Sequence, residues 1–272
     1  MGGDLGALVA LLRGRRTAVL TGAGISTESG IPDYRGPGTR ARARNPIQHR
    51  AFVTDSAARR RYWARAAAGW ARFSDVRPNA GHLALVELER RGVVDGLVTQ
   101  NVDRLHQRAG SARVVELHGA LEEVRCLGCG AIGPRAEVQA RIFADNPGFD
   151  PVALEHAPDG DAEIAEGLLD GFVVPDCLRC GGVLKPDVVF FGDNVPRPKV
   201  DLAFSWVDAA DVLLVVGSSL AVFSGYRFVL RAKERGQPIG IVNLGESRGD
   251  PHADVRVDAR AGEVLPALLE VL

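Results

Sequence analysis

Val212-Leu-Leu-Val-Val216 is apolar without a break, and Val188-Val-Phe-Phe191 and Ile239-Gly-Ile-Val-Asn243 are nearly so. A strand with one wet face alternates in polarity. An unbroken apolar run suits a parallel strand covered by helices on both faces. Gly96-Leu-Val-Thr-Gln-Asn-Val-Asp103 and Val114-Val-Glu-Leu-His-Gly119 start in the same way and stop in polar residues, and Ala18-Val-Leu-Thr21 breaks into a glycine turn. Helical patterns lie between these runs. Leu5, Leu8, Val9 and Leu12 share one face near the N-terminus, and further helices are expected from Pro78-Asn79 to about Arg91, Pro198 to Ala209, Gly225 to Arg235 and Gly262 to Leu272. Asp254 to Val257 reads as a last edge strand. The alternation predicts an α/β fold built on a Rossmann-like, doubly wound parallel sheet. The expected division is a sheet-bearing part of 1–39, 73–121 and 186–272, a small helical insert of 40–72, and a second inserted module of 122–185. The last of these carries a helix around Arg135 to Ala144.

Ligands of such sheets bind beyond the carboxyl ends of the strands. The first strand delivers Gly22-Ala-Gly-Ile-Ser26 there, a turn whose glycines let backbone N–H groups approach a phosphate. The match to a dinucleotide fingerprint is partial. Thr27 stands where a third glycine belongs, and no acid ends a second strand about 20 residues on. Asp33, Tyr34 and Arg35 then sit together between Pro32 and Gly36. A loop carrying acid, aromatic and base together is more often a site than a spacer.

All four cysteines fall in two Cys-x-x-Cys pairs, Cys126/Cys129 and Cys177/Cys180. Four thiolates make a closed tetrahedral zinc site with no open position, so one structural Zn2+ per chain is expected rather than a catalytic metal or a redox dithiol. The 47 residues between the pairs leave room for a loop. Nine acids and no lysine or arginine lie between Asp145 and Asp176, whereas Arg35 to Arg72 holds ten arginines and one acid, Asp55. These read as solvated faces, or as a basic mouth and an acidic lobe. The net charge of −1 implies no nucleic-acid partner, and no apolar run is long enough to span a membrane. The N-terminus lacks the order of a signal peptide, so a cytoplasmic protein is expected.

His118 is the acid–base candidate. It ends a strand, and an imidazole that titrates near neutrality can take a proton from a sugar hydroxyl. Gln100, Asn101 and Asp103 end the neighbouring strand with side chains suited to a ribose or a carboxamide. Gly217, Ser218 and Ser219 follow the most apolar run, as a second phosphate or ribose contact or as a plain helix cap. Asn243-Leu244-Gly245 repeats the arrangement one strand later. Phe190 to Asp193 reads either as an exposed edge that accepts an extended peptide or as core packing.

Taken in order, GAGIS at 22–26, GIPDYRG at 30–36, QNVD at 100–103, HG at 118–119, the paired Cys-x-x-Cys, KPDVVFFGD at 185–193, GSSL at 217–220 and VN at 242–243 resemble a sirtuin, the NAD-dependent protein deacylase family. The resemblance runs from about Thr17 to Leu272. The gap between the cysteine pairs, APDGD at 157–161 and SGYRF at 224–228 are similar to class II sirtuins, a group with a mitochondrial member in animals. The resemblance implies that Gly22, Ala23, Gly24, Ser26, Asp33, Tyr34 and Arg35 line the NAD site, with Tyr34 where the family usually has Phe. Gln100, Asn101, Val102 and Asp103 would hold the nicotinamide ribose and carboxamide. Gly217, Ser218, Ser219, Asn243, Leu244, Gly245 and Ala261 would hold the adenosine half. Val189, Phe191, Gly192 and Val222 would flank the acyl-lysine, and Cys126, Cys129, Cys177 and Cys180 would hold the zinc. Tyr62 and Arg65 have the spacing of the pair with which class III sirtuins grip acidic acyl groups.

The implied reaction starts with attack of the acyl oxygen on the nicotinamide ribose carbon. His118, with Asn101 and Asp103 in the catalytic group, then serves as base toward a ribose hydroxyl. The products are free lysine, nicotinamide and 2′-O-acyl-ADP-ribose. That chemistry explains the absent third glycine and acid, because the ribose must stay open to react. The expected partners are acylated proteins or peptides met by a monomer. A protein mono-ADP-ribosyltransferase and a non-catalytic NAD-sensing module remain as alternatives.

Overall fold

The computed structural model describes residues 2–34, 46–151 and 160–272. Arg35, 40–45 of the expected helical insert and 152–159 of the acidic stretch lie outside the described residues. In chain order the first elements are α1 (Gly2–Leu12), β1 (Thr17–Thr21), α2 (His49–Thr54), α3 (Ser56–Asp75), α4 (Ala80–Arg90) and β2 (Val94–Thr99). Then come α5 (Leu105–Ala109), β3 (Val114–Glu116), β4 (Gly119–Cys126), β5 (Ile132–Pro134), α6 (Arg135–Asp145) and β6 (Leu184–Val188). The chain finishes with α7 (Arg197–Ala209), β7 (Val212–Val216), α8 (Phe223–Glu234), β8 (Ile239–Val242), β9 (Val255–Val257) and α9 (Ala261–Leu269). These pack as two compact units, one of Met1–Ala43, Arg77–Leu117 and Val195–Leu272, the other of Arg44–Val76 and His118–Asn194.

The first unit is a parallel sheet of order β3-β2-β1-β7-β8-β9. This is the doubly wound order, with its switch point between β1 and β7. Every residue of β1, β7 and β8 is buried, as the apolar runs 18–20, 212–216 and 239–242 require. Alternate side chains enter two cores. Val19, Leu97, Leu214 and Val216 meet Leu8, Leu12, Leu85, Leu88, Leu265 and Leu268 of α1, α4 and α9. Ala18, Leu20, Val98, Leu213 and Val215 meet Val200, Ala203, Val207, Phe228 and Val229 of α7 and α8. Each fully buried leucine contributes roughly 2 kcal/mol of transfer free energy, which is why the middle positions of β1, β7 and β8 are apolar. The cap of α4 fixes its start: Asn79 Oδ1 accepts from Gly81 N and His82 N, and Asn79 N donates back to His82 Nδ1.

The second unit is built on a three-stranded antiparallel sheet, β5-β4-β6, with α2, α3 and α6. Here the structure corrects the expectation for Val188 to Phe191. That run is not a parallel strand of the main sheet. The strand is Leu184–Val188, it pairs antiparallel with β4, and it stops where the apolar run begins. Phe190 owes its apolar character to another task, packing at 5.2 Å against both Phe52 and Tyr62. The strand Gly119–Cys126 was not anticipated, because Glu122, Glu123 and Arg125 break its apolar pattern. Among the described residues no helix is long and apolar enough to cross a membrane.

Candidate functional site

In the first unit, two loops meet at the carboxyl ends of the switch-point strands. Gly22 N donates to Val216 O at 3.1 Å, and Gly24 N to Gly217 O at 2.8 Å. A Cβ at Gly24 would lie 2.8 Å from the Gly217 carbonyl oxygen, and one at Gly217, where φ is +60°, would lie 2.3 Å from Ile25 N. Glycine is therefore required on both sides of this contact. The consequence is a close main-chain contact between the two glycine loops at the strand ends, the kind of backbone turn that can receive the phosphates of a dinucleotide. Leu220, just beyond, is left-handed at φ 55°, a strained conformation for a leucine.

The Gln100–Asp103 turn is laced to these loops. Asn101 Nδ2 donates to Gly22 O (3.1 Å) and Ser26 Oγ (3.0 Å), and Ser26 Oγ donates to Asp103 Oδ2 at 2.7 Å. Leu105 N donates to the other Asp103 oxygen at 2.9 Å. Burial pushes the Asp103 carboxyl up from its ordinary range, and the bonds from Leu105 N and Ser26 oppose that shift. Gln100 Nε2 donates to Ser218 Oγ (2.8 Å) and to Thr21 O (3.3 Å). Val102, Ala23 and Ser219 are half-buried, and Tyr34 is exposed beside half-buried Asp33. On the adjoining strand, Asn243 Nδ2 donates to Gly245 O at 2.9 Å, and Gly245 N donates to Asp258 Oδ1 at 2.9 Å. These bonds shape the turn around exposed Leu244, while Ala261 is buried at the start of α9. Val222 is half-buried at the N-cap of α8.

Behind the glycine loop lies a buried polar chain that sequence reading missed. Thr21 Oγ1 donates to Thr99 Oγ1 at 2.9 Å and lies 2.9 Å from His106 Nε2. The His106 ring is 4.8 Å from that of His82, and both are buried. Burial lowers the His82 pKa from 6.5 to about 4, and burial with the neighbouring His82 lowers that of His106 well below its usual value. Such imidazoles stay neutral when folded, whereas the unfolded chain protonates near pH 6.5. Stability is therefore full above pH 6.5 and is lost as pH falls toward 4. His82 alone accounts for roughly 3 kcal/mol of that loss. Urea midpoints measured from pH 7.5 to 4.5 are expected to fall through this window, less steeply in His82→Gln. A flat profile would remove the pair from the acid response.

In the second unit, His118 stands between β3 and β4 and is half-buried. Gly119 follows at φ +81°, where a Cβ would strike the Asp187 carbonyl oxygen, so the His-Gly order lets β6 cross directly over the chain. Val189 N donates to His118 O at 2.8 Å, and His49 N donates to Phe191 O at 2.9 Å. Val188 and Phe190 turn inward, while Val189 and Phe191 are half-exposed and Gly192 is exposed. Tyr62 is buried among Phe52, Trp63 and Phe190. Arg65 Nε is engaged with Asp161 Oδ1 (3.1 Å) and Ala162 O (3.2 Å), so its charge already meets a carboxylate of the acidic stretch.

The four cysteines converge at the end of the small sheet. Their ligand atoms all lie within 4.8 Å of one another. Cys129 N and Gly128 N point at Cys126 Sγ, at 3.5 and 3.3 Å. These donors, that of Cys129 foremost, pull the Cys126 thiol down to about 6. Four clustered thiols with N–H donors to sulfur fit the ligand set of a structural zinc ion, and four protein ligands leave no position for a substrate.

A doubly wound sheet with an interlaced glycine loop at its switch point, joined in one chain to a four-cysteine module, defines an α/β enzyme scaffold of the dinucleotide-binding kind. The profile of the Sir2 family matches residues 22–224. Relatives include NAD-dependent protein deacetylase 1 of Mycobacterium avium (strain 104), 53% identical over 270 residues that span 97% of this chain and 94% of the relative. The Bos taurus NAD-dependent protein lipoamidase sirtuin-4, mitochondrial, is 53% identical over 257 residues, spanning 93% of this chain and 82% of that protein. A solved Sir2–p53 peptide–NAD+ structure matches with a TM-score of 0.75 at 31% identity, over 97% of this chain and 96% of that one. The chain belongs to the Sir2 family.

Proposed function

We propose that this protein is an NAD-dependent protein lysine deacylase of the class II sirtuin type, with one structural zinc per chain. The observation that carries the reading is the hydrogen bond from Val189 N to His118 O, which makes the candidate base and the candidate peptide edge one piece. The relatives named as NAD-dependent deacetylases support it over most of the chain's length. When bound, NAD supplies an electrophilic ribose carbon and an acceptor for the acyl group. Gly22, Ala23, Gly24 and Ser26, with Asp33, Tyr34 and Arg35, receive the phosphates and the nicotinamide ribose. Gln100, Asn101, Val102 and Asp103 brace that end, and Gly217, Ser218, Ser219, Asn243, Leu244, Gly245 and Ala261 hold the adenosine. His118 takes a proton from a ribose hydroxyl. Val189, Phe191, Gly192 and Val222 flank the acyl-lysine, and Tyr62 and Arg65 stand at the acyl end. The partners in this reading are acyl-lysine proteins or peptides, met by a monomer in a reducing compartment such as the cytoplasm, where paired thiols stay available for zinc.

The test is a panel of acetyl, lipoyl, succinyl and glutaryl peptides with NAD, read by product mass and by nicotinamide release with and without peptide. Acyl-ADP-ribose and free lysine are expected. Label from NAD left on protein instead would turn the reading to ADP-ribosyl transfer, and no peptide-dependent turnover would leave only NAD binding. Lipoyl is included because one relative is named a lipoamidase. In the same panel, Arg65→Met is expected to lower rates on succinyl and glutaryl peptides relative to acetyl. Because Asp161 already occupies the guanidinium, the drop should be severalfold rather than total. An unchanged ratio leaves Arg65 with the task of holding Asp161.

A further inference from the structure

The inward side of residues 188–191 is held by one charged side chain. Lys185 is only 7% exposed. Its ammonium donates to the main-chain carbonyls of Val188 and Pro186, and it stands 4.5 Å from the centroid of the Phe190 ring. Phe190 is itself wedged against Phe52 and Tyr62. A buried ammonium has to be satisfied by acceptors, so Lys185 dictates where the Val188 carbonyl points, and its charge over the ring dictates where Phe190 sits. The next residue in each direction from that ring, Val189 and Phe191, faces outward. Val189 carries the bond to His118 O and Phe191 the bond from His49 N.

We propose that Lys185 is a positioning residue for acyl-peptide binding: from the buried side it fixes the segment 188–191 and, through Val189, the main chain of His118. The proposal rests on the deacylase reading of the same site. It is tested on the zinc-loaded full chain with Lys185→Met, which keeps length and removes the donors, and with Lys185→Gln and Lys185→Arg, which keep donors. Lys185→Met is expected to raise the peptide KM about tenfold, the loss of one or two well-made hydrogen bonds, while the NAD KM and zinc content stay as in wild type. Lys185→Arg should restore most of the peptide affinity. Hydrogen exchange at 187–191 should be faster in Lys185→Met and unchanged in β1, β7 and β8.

A wild-type peptide KM in folded Lys185→Met overturns the proposal, as does an equal rise in both KM values. If Lys185→Met does not fold, Lys185→Gln carries the comparison. It keeps donors but loses the charge over the Phe190 ring, so a smaller but selective rise in peptide KM is expected, and a wild-type value overturns the proposal. Failure of both variants to fold assigns Lys185 to stability alone and overturns it as well. The exchange comparison needs no substrate. It therefore judges the anchoring even if wild type proves to have no deacylase activity, which would be a failure of the function and not of the anchor.

Discussion

Replacing His118 by alanine is expected to abolish NAD-dependent deacylation while leaving a folded, zinc-containing chain. The main-chain link of His118 runs through its carbonyl to Val189 N and survives any side-chain change. The neighbouring glycine, on which β6 packs, is also untouched. The imidazole is half-buried rather than part of either hydrophobic core of the sheet unit, so its removal leaves no large cavity. What disappears is the proposed proton acceptor, and loss of a positioned general base typically costs ~10²–10⁴ in rate. Nicotinamide release and acyl-ADP-ribose should be followed together. A folded variant with wild-type product formation would remove His118 from the mechanism. One that fails to fold would assign it to structure.

The second large effect concerns the metal. Cys177→Ser, or prolonged exposure to a strong chelator, is expected to unfold the second unit. Cys126, Cys129, Cys177 and Cys180 bracket all three strands of its sheet: Cys126 ends β4, Cys129 precedes β5, and the second pair precedes β6. That sheet is small, and β5 contributes three residues with no buried one among them. A structural zinc contributes an apparent ~10–16 kcal/mol, comparable with or larger than the whole stability of a typical domain. The first unit has its own two cores, so exchange protection in β1, β7 and β8 should persist while that of β4 and β6 is lost. Zinc content, hydrogen exchange by segment and peptide turnover would be read on one sample. A chelated protein with full turnover and undiminished protection in β4 would sink the structural role.

The parallel sheet was legible because β1, β7 and β8 are buried on both faces and so carry the apolar runs 18–20, 212–216 and 239–242. The glycine loop was legible because only glycine permits the contact between Gly24 and Gly217. Val188 to Phe191 was misread because composition cannot tell a strand from an aromatic anchor. Phe190 is apolar for the sake of Phe52 and Tyr62, residues more than a hundred positions away in the chain. The β4 strand was missed because its charged residues face partners that only the fold supplies, as Arg125 does for Asp187 at 2.8 Å. Asn101 and Asp103 were read as ligand contacts. Their hydrogen bonds to Ser26 and Gly22 give them a task in the protein itself, which no spacing in the sequence expresses. His82 and His106 left no signal, and Lys185 entered only as the first residue of KPDVVFFGD with no role attached, since a buried polar residue is recognisable only by what surrounds it.

The contact between Gly24 and Gly217 also bears on how this site can change over generations. Each glycine is held by the other's backbone, not by a side chain that a second mutation could trim. A larger residue at either position has no compensating partner to wait for, so the two codons are closed to stepwise substitution. In a saturation library both should be almost empty of survivors. On the proposed reading of Arg65, novelty in acyl preference would instead enter through side chains such as Arg65 and its partner Asp161, which can be exchanged one at a time.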